Sequence, residues 1–138
     1  MQKKEFEVRV MNYFTENINL HKHWEIAKQC AREIMSLKFE EIVTGKFEMP
    51  STDEIKEKIA DKVPYEFDPS GFIEKGPLDL SGLDDDLISE ALAKSETIYK
   101  NFRNSQTRVI AKAAKKVCDS LCENLKKEIH EIKNKYLS

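Results

Sequence analysis

The sequence predicts an all-α protein with three shorter helices, one irregular segment and one long C-terminal helix. Apolar residues recur at helical spacing through most of the 138 residues. Three of the four Pro and three of the four Gly fall within residues 64–82, and neither residue type occurs in the 55 residues after Leu83. A chain of this length makes about one domain. We therefore expect residues 1–138 to form a single helical domain.

The first helix is indicated by aromatic and aliphatic residues near the N-terminus. They repeat at helical spacing as Phe6, Val10, Tyr13, Phe14 and Ile18. A strand is the alternative, because apolar residues at positions 6, 8 and 10 alternate with charged ones. We predict the helix, since the helical repeat extends over more of the segment.

The second helix is predicted over residues 20–44. Its apolar face consists of Trp24, Ala27, Ala31, Ile34, Met35 and Ile42. Asn19 can cap its start, and Gly45 supplies a stop after it.

The third helix is predicted to begin after Ser51, whose side chain can accept a hydrogen bond from the backbone of Glu54, while Glu54 reaches back. It should end near Lys62, because Pro64 disfavours helical angles at Val63.

Residues 63–83 contain so many helix breakers that no regular element is predicted there. A structureless connection of this length is usually a binding loop, a linker or a segment packed onto the core. Its apolar side chains could pack on the chain's own core, or could dock into another protein as an extended peptide. The candidate partner-binding residues are Tyr65, Phe67, Phe72, Leu78 and Leu80.

The long helix is predicted over residues 84–137, with three Asp at its start, where negative charge is favoured. Its apolar face keeps one phase across the polar stretch 104–107, and this predicts that the helix is continuous there. The face consists of Ile88, Leu92, Ser95, Tyr99, Phe102, Val109, Ala113 and Val117. Beyond Val117 the apolar face is expected to move to Leu121, Leu125, Ile129, Ile132 and Tyr136.

A basic stripe is predicted on this helix between residues 97 and 118, a stretch without acidic residues. It comprises Lys100, Arg103, Arg108, Lys112, Lys115 and Lys116. Such side chains can contact the phosphates of nucleic acid. The alternatives are a solvated face, or pairing with residues 51–96, which carry 13 acidic and 5 basic residues. A pI near 6.0 and the lack of a recognisable nucleic-acid-binding signature count against nucleic-acid binding.

The C-terminal end has a short heptad pattern, which predicts a parallel coiled-coil homodimer. The a positions are Cys122, Ile129 and Tyr136, and the d positions are Cys118, Leu125 and Ile132. Glu128 at g would face Lys133 at e of the other chain. Packing onto the chain's own second helix is the alternative, because fewer than three heptads are present.

No catalytic or cofactor-binding motif is found, so we expect a non-enzymatic protein without a cofactor. His21 and His23 with Cys118 and Cys122 contain the donors of a zinc site, but a solvated helix start beside Trp24 explains the His pair more simply, and no metal is expected. Cys30 is interpreted as a small buried hydrophobe. Three Cys and no apolar leader or membrane-length run suggest a soluble, cytoplasmic protein.

Two functions remain in view from the sequence. The first is a protein-protein interaction module, such as an adaptor, regulator or inhibitor, that acts through the long helix and residues 64–82. The second is a nucleic-acid-associated protein that uses residues 100–116.

Overall fold

The computed structural model describes residues 3–16 and 18–137, and within these ranges it contains six α-helices and no β-strand. The all-α prediction is confirmed. The helices are α1 (Lys3–Glu16), α2 (Leu20–Leu37), α3 (Phe39–Val43), α4 (Thr52–Ala60), α5 (Pro69–Lys75) and α6 (Asp85–Leu137).

The chain forms two compact units. Unit 1 comprises Met1–Asn19 and Pro64–Gln106, and unit 2 comprises Leu20–Val63 and Thr107–Ser138. α6 contributes residues to both. The single domain expected over residues 1–138 stays a prediction.

The N-terminal segment is helical, so the strand alternative for residues 6–10 is excluded. The predicted helix over residues 20–44 is divided at Lys38 into α2 and α3. Ile34 of α2 and Ile42 of α3 are both buried in the core of unit 2. The predicted stop is present, because Gly45 follows α3 with a φ of 76°.

Local capping fixes the starts of α4 and α5. The backbone N–H of Glu54 donates to Ser51 Oγ over 3.2 Å, which confirms the Ser51 half of the predicted cap of α4. The prediction that residues 63–83 hold no regular element is wrong, because they contain α5. Asp68 accepts a hydrogen bond from Ser70 N–H at the start of α5. Pro69 occupies the first helical position, where its missing N–H costs nothing.

The long helix is confirmed, and it continues through residues 104–107. The prediction that its first apolar face extends to Val117 is wrong. Val109 is 66% exposed, while the adjacent Ile110 and Ala111 are buried. From Thr107 onward the buried face of α6 is Thr107, Ile110, Ala111, Ala114, Cys118 and Cys122. The face therefore changes about ten residues earlier than predicted.

Each unit has its own core. In unit 1 the buried apolar residues of the core are Val10, Phe14, Phe72, Leu80 and Tyr99. In unit 2 the core joins side chains of α2, α3, α4 and α6, with Ile34, Ile55, Ile59 and Cys118 among the most buried. On the surface of unit 2, Lys62 Nζ donates to Glu33 Oε1 over 2.8 Å, and this hydrogen bond raises the pKa of Lys62.

Candidate functional site

The aromatic residues predicted to bind a partner lie mainly in the core of unit 1. Phe72 is fully buried and Leu80 is buried, while Phe67 and Leu78 pack partly buried against the same cluster. The Phe14 ring lies 6.0 Å from Phe67 and 5.1 Å from Tyr99, between ring centroids. These four side chains therefore pack on the chain's own core, which is the first of the two alternatives given for residues 64–82.

Tyr65 differs from the other four because 47% of it is exposed. Its ring meets Tyr99 edge to face at 5.0 Å, and its hydroxyl donates to Glu96 Oε1 over 3.1 Å. Burial of the hydroxyl raises the pKa of Tyr65, and the hydrogen bond to Glu96 adds to this shift. The backbone N–H of Glu66 donates to the Tyr99 hydroxyl over 2.7 Å, and this hydrogen bond connects the start of residues 64–82 to α6.

The surface of unit 1 carries two adjoining clefts with apolar floors. The first, of about 550 Å³, lies between α1 and α6, and its apolar wall includes Phe6, Met11, Ala93 and Ile98. The second, of about 590 Å³, lies between the start of α6 and residues 78–83, and its wall includes Leu78, Leu83, Leu87 and Ala91. Clefts of this size are typical of binding sites.

The two clefts share Lys3, Phe6 and Lys94, so they form one continuous surface, which we call the unit 1 groove. Leu83 and Leu87 are 44% and 49% exposed on its wall. Acidic side chains border it, namely Glu7 in the first cleft and Asp79 and Glu90 in the second. Lys94 Nζ lies 3.2 Å from Glu90 Oε1, and the positive charge of Lys94 offsets part of the negative charge of Glu90.

The groove was not predicted from the sequence. Leu87 lies about 40° outside the predicted apolar face of the long helix. An apolar residue at such a position, beside the core face, is the one signal in the sequence that could have indicated the groove. Leu78 and Leu80 were singled out, but as parts of an extended peptide. In the structure Leu78 lines the groove while Leu80 also belongs to the core beneath it.

The six residues of the predicted basic stripe are divided between the two units. Lys100 and Arg103 belong to unit 1, and Lys100 Nζ lies 3.7 Å from Glu96 Oε1. In unit 2, Arg108, Lys112 and Lys116 are exposed, and Lys115 is half-buried. Their spacing puts these four side chains within about 100° of one another around the helix.

The predicted oligomer interface also separates into two parts. Cys118 and Cys122 are buried inside unit 2 of a single chain, so they cannot line a seam between two chains as the heptad pattern requires. Leu125 packs partly buried against the same core, and Ile129 is half-buried. Ile132 and Tyr136 are 56% and 72% exposed. Of the predicted heptad positions, only those after Cys122 can therefore contact a second chain.

The buried thiols of α6 form a sulfur cluster with α2. Cys118 and Cys122, one helical turn apart on α6, are both buried in the core of unit 2. Cys122 Sγ donates to Met35 Sδ over 3.3 Å. Burial raises the pKa of the Cys118 thiol to about 12, and burial also raises the pKa of Cys30 and of Cys122.

His21 and His23 do not join the thiols in a zinc site. In the part of the chain that the structure describes, no group of three or more His, Cys, Asp or Glu side chains could hold a metal ion. His21 is exposed, whereas Cys118 and Cys122 are buried. Across residues 3–16 and 18–137, no helix combines the length and the apolar character that a membrane span needs.

No family model, no curated protein and no solved structure matches this chain. The inference of function therefore rests on the groove, the charges and the exposed apolar faces described above.

Proposed function

We propose that this protein is a non-enzymatic protein-protein interaction module, an adaptor, regulator or inhibitor, that binds an amphipathic helix of another protein in the unit 1 groove. The observation that carries the proposal is the continuity of the groove. Its apolar wall runs from Met11 and Ile98, past Phe6, to Leu83 and Leu87. An elongated apolar surface of this kind fits one stripe of a helix whose apolar residues repeat every three or four positions.

The charge of unit 1 specifies the partner further. Residues 1–19 and 64–106 carry 12 Asp and Glu against 7 Lys and Arg, a net charge of −5. Along the groove itself lie the carboxylates of Glu7, Asp79 and Glu90 against the ammonium groups of Lys3 and Lys94, so its lining also carries a net negative charge, of −1. Opposite charges at the rim favour one partner over others and accelerate association. The expected partner is therefore a helix whose apolar stripe is flanked by Lys and Arg.

Photo-crosslinking from within the groove tests this proposal. A photoreactive amino acid replaces Met11, which lines the groove, or Val8, an exposed apolar residue of the same helix that does not line it. In native cell extract we expect the probe at position 11 to crosslink to a protein segment with helical apolar spacing and flanking basic residues. The probe at position 8 should give little of this product. Equal crosslinking from both positions, or a segment without that pattern, contradicts the proposal.

Self-association through the C-terminal end of α6 is a second part of the proposal. Ile132 and Tyr136 repeat at heptad spacing with Ile129, and their exposure leaves an apolar face for a second copy of the chain. Charge supports the parallel arrangement, because Glu128 of each chain faces Lys133 of the other. With Cys118 and Cys122 buried inside one chain, the interface is limited to residues 125–136.

A cysteine substitution within this interface tests the dimer. Ile132→Cys occupies a d position, where two parallel helices bring the same residue face to face, so mild oxidation should crosslink two chains. Glu131→Cys is the matched control, because a c position points away from the seam. Removal of residues 128–138 should give a monomer in sedimentation while keeping Cys118 and Cys122 in the core. Equal crosslinking at positions 131 and 132 would exclude the parallel seam.

Nucleic-acid binding is the alternative function, and the exposed cations Arg108, Lys112 and Lys116 favour it. Unit 2 carries 16 Lys and Arg against 13 Asp and Glu, so its charge has the sign that phosphates attract. Asp119 lies on the same side of α6 by its spacing, which reduces the attraction. The two functions differ in salt dependence, because counterion release makes phosphate binding fall steeply with salt.

A further inference from the structure

We infer that Cys118, Cys122 and Met35 form a binding site for a soft monovalent metal ion, Cu(I), in the core of unit 2. The inference is independent of the proposed interaction function. It begins from the sulfur cluster, in which the Cys122 thiol of α6 contacts the Met35 thioether of α2, and the buried Cys118 thiol lies one helical turn from Cys122.

Helix geometry brings the two thiols together. Cys118 and Cys122 are one turn apart on α6, and side chains at this spacing are neighbours. Met35 approaches them from α2, with its sulfur 3.3 Å from Cys122 Sγ. A metal-thiolate bond is about 2.3 Å long, so three sulfurs around one ion lie about 4 Å apart. The Cys122–Met35 sulfur pair, at 3.3 Å, therefore needs to open by less than about 1 Å to share one ion in a trigonal arrangement.

The choice of metal follows from the donors. Thiolate and thioether sulfur select Cu(I), whereas Mg²⁺ and Ca²⁺ require oxygen. A structural zinc site needs four ligands from Cys, His or carboxylate, and the described residues contain no group of even three such side chains that could hold a metal. Thus Cys30, although buried in the same core, does not complete a three-thiol site. Three sulfurs with a thioether among them suit a low-coordinate Cu(I) ion.

Binding involves no change of oxidation state. Each thiol of Cys118 and Cys122 loses its proton, two Cu–S bonds form, and the Met35 thioether donates a lone pair to the third position. Two protons are released for each Cu(I) bound. Of the two cysteines, Cys122 is the more accessible, because it is 5% exposed whereas Cys118 is fully buried.

Competition with a chromophoric Cu(I) chelator, without oxygen and in the presence of a reductant, tests the site on the full chain. We expect one Cu(I) per chain. Cys118→Ser and Cys122→Ser should each abolish binding. Met35→Leu keeps the volume and fold of the core and should weaken binding at least about tenfold, since even the loss of an outer-shell partner costs about 10- to 100-fold.

Cys30→Ala is the matched control, since it removes one buried thiol outside the proposed ligand set and should retain the affinity. X-ray absorption of the Cu(I) complex should show sulfur neighbours alone. A chain that takes no Cu(I) from the chelator, a Met35→Leu variant with unchanged affinity, or a Cys30→Ala variant that loses binding would each overturn the assignment.

Discussion

Replacement of Phe72 by Ala tests whether residues 64–82 are part of the folded core of unit 1. Phe72 is fully buried in α5, with its ring centroid 6.0 Å from Tyr13 and 6.2 Å from Phe67. Loss of a buried Phe side chain costs about 3 to 5 kcal/mol, because transfer free energy is lost and a cavity remains. An unfolding entropy of about 2.1 cal/mol/K per residue gives about 0.3 kcal/mol/K for 138 residues. The Tm should therefore fall by about 10 to 17 °C.

The matched control is Ile73→Ala, the next residue of the same helix, of which 38% is exposed. It should cost about 1.5 kcal/mol, since about three partly buried carbons are removed. Both variants are compared by thermal and urea denaturation followed by circular dichroism. If Phe72→Ala is no less stable than Ile73→Ala, then α5 is not packed on the core and the description of unit 1 is refuted.

Three further predictions concern backbone packing, thiol reactivity and surface charge. Gly76→Ala should destabilise the fold by about 1 to 3 kcal/mol in urea denaturation, because its Cβ would collide with the carbonyl oxygen of Phe72; an unchanged midpoint would refute this contact. The three buried thiols should react with an alkylating reagent slowly in the folded protein and fast in urea, since burial raises the pKa of Cys118 to about 12; rapid reaction at neutral pH would contradict their burial. The third prediction concerns the triple substitution of Lys112, Lys115 and Lys116 by Gln, which should change the free energy of unfolding by less than about 0.5 kcal/mol. If the protein binds nucleic acid, the same variant should be retained more weakly by DNA and RNA of every sequence alike. If the unmodified chain is not retained by nucleic acid at low salt, the nucleic-acid-binding alternative is excluded.

The fold class and the continuity of α6 could be predicted because they depend on local signals. A Ser cap begins α4, Gly45 follows α3, and the absence of Gly and Pro after Leu83 permits one long helix. The sequence pattern does not predict α5, because Pro69 lies among several other helix breakers. At the first position of a helix Pro is favoured instead, and the cap at Asp68 was the signal that could have revealed it.

The buried faces of α6 could not be fixed in the same way. Val109 and Ile110 are adjacent and both apolar, so helical periodicity alone does not say which of them is buried. The choice depends on the elements that pack against each side. For the same reason the heptad pattern assigned Cys118 and Cys122 to a seam between chains, although the core of unit 2 already covers both.

The groove depends on tertiary structure even more strongly. Its walls combine α1, residues 78–83 and the start of α6, which are far apart in the sequence. Leu87 of α6 lies outside the apolar face that periodicity predicts, and residues 78–83 have no helical repeat from which a buried face could be assigned. The sequence therefore indicated an interaction through residues 64–82 and the long helix, but not the surface on which they meet.

The most direct test of the interaction function is the amount of protein partner that the immobilised full chain retains from native extract after nuclease treatment. It is compared between the Leu83→Gln/Leu87→Gln variant, which makes the groove wall polar, and the Val8→Gln control, which changes an exposed apolar residue outside it. We expect the control to retain the partner at low and high salt and the groove variant to lose it, with both variants folded. Equal retention by the two variants, or retention that nuclease abolishes, would contradict the account.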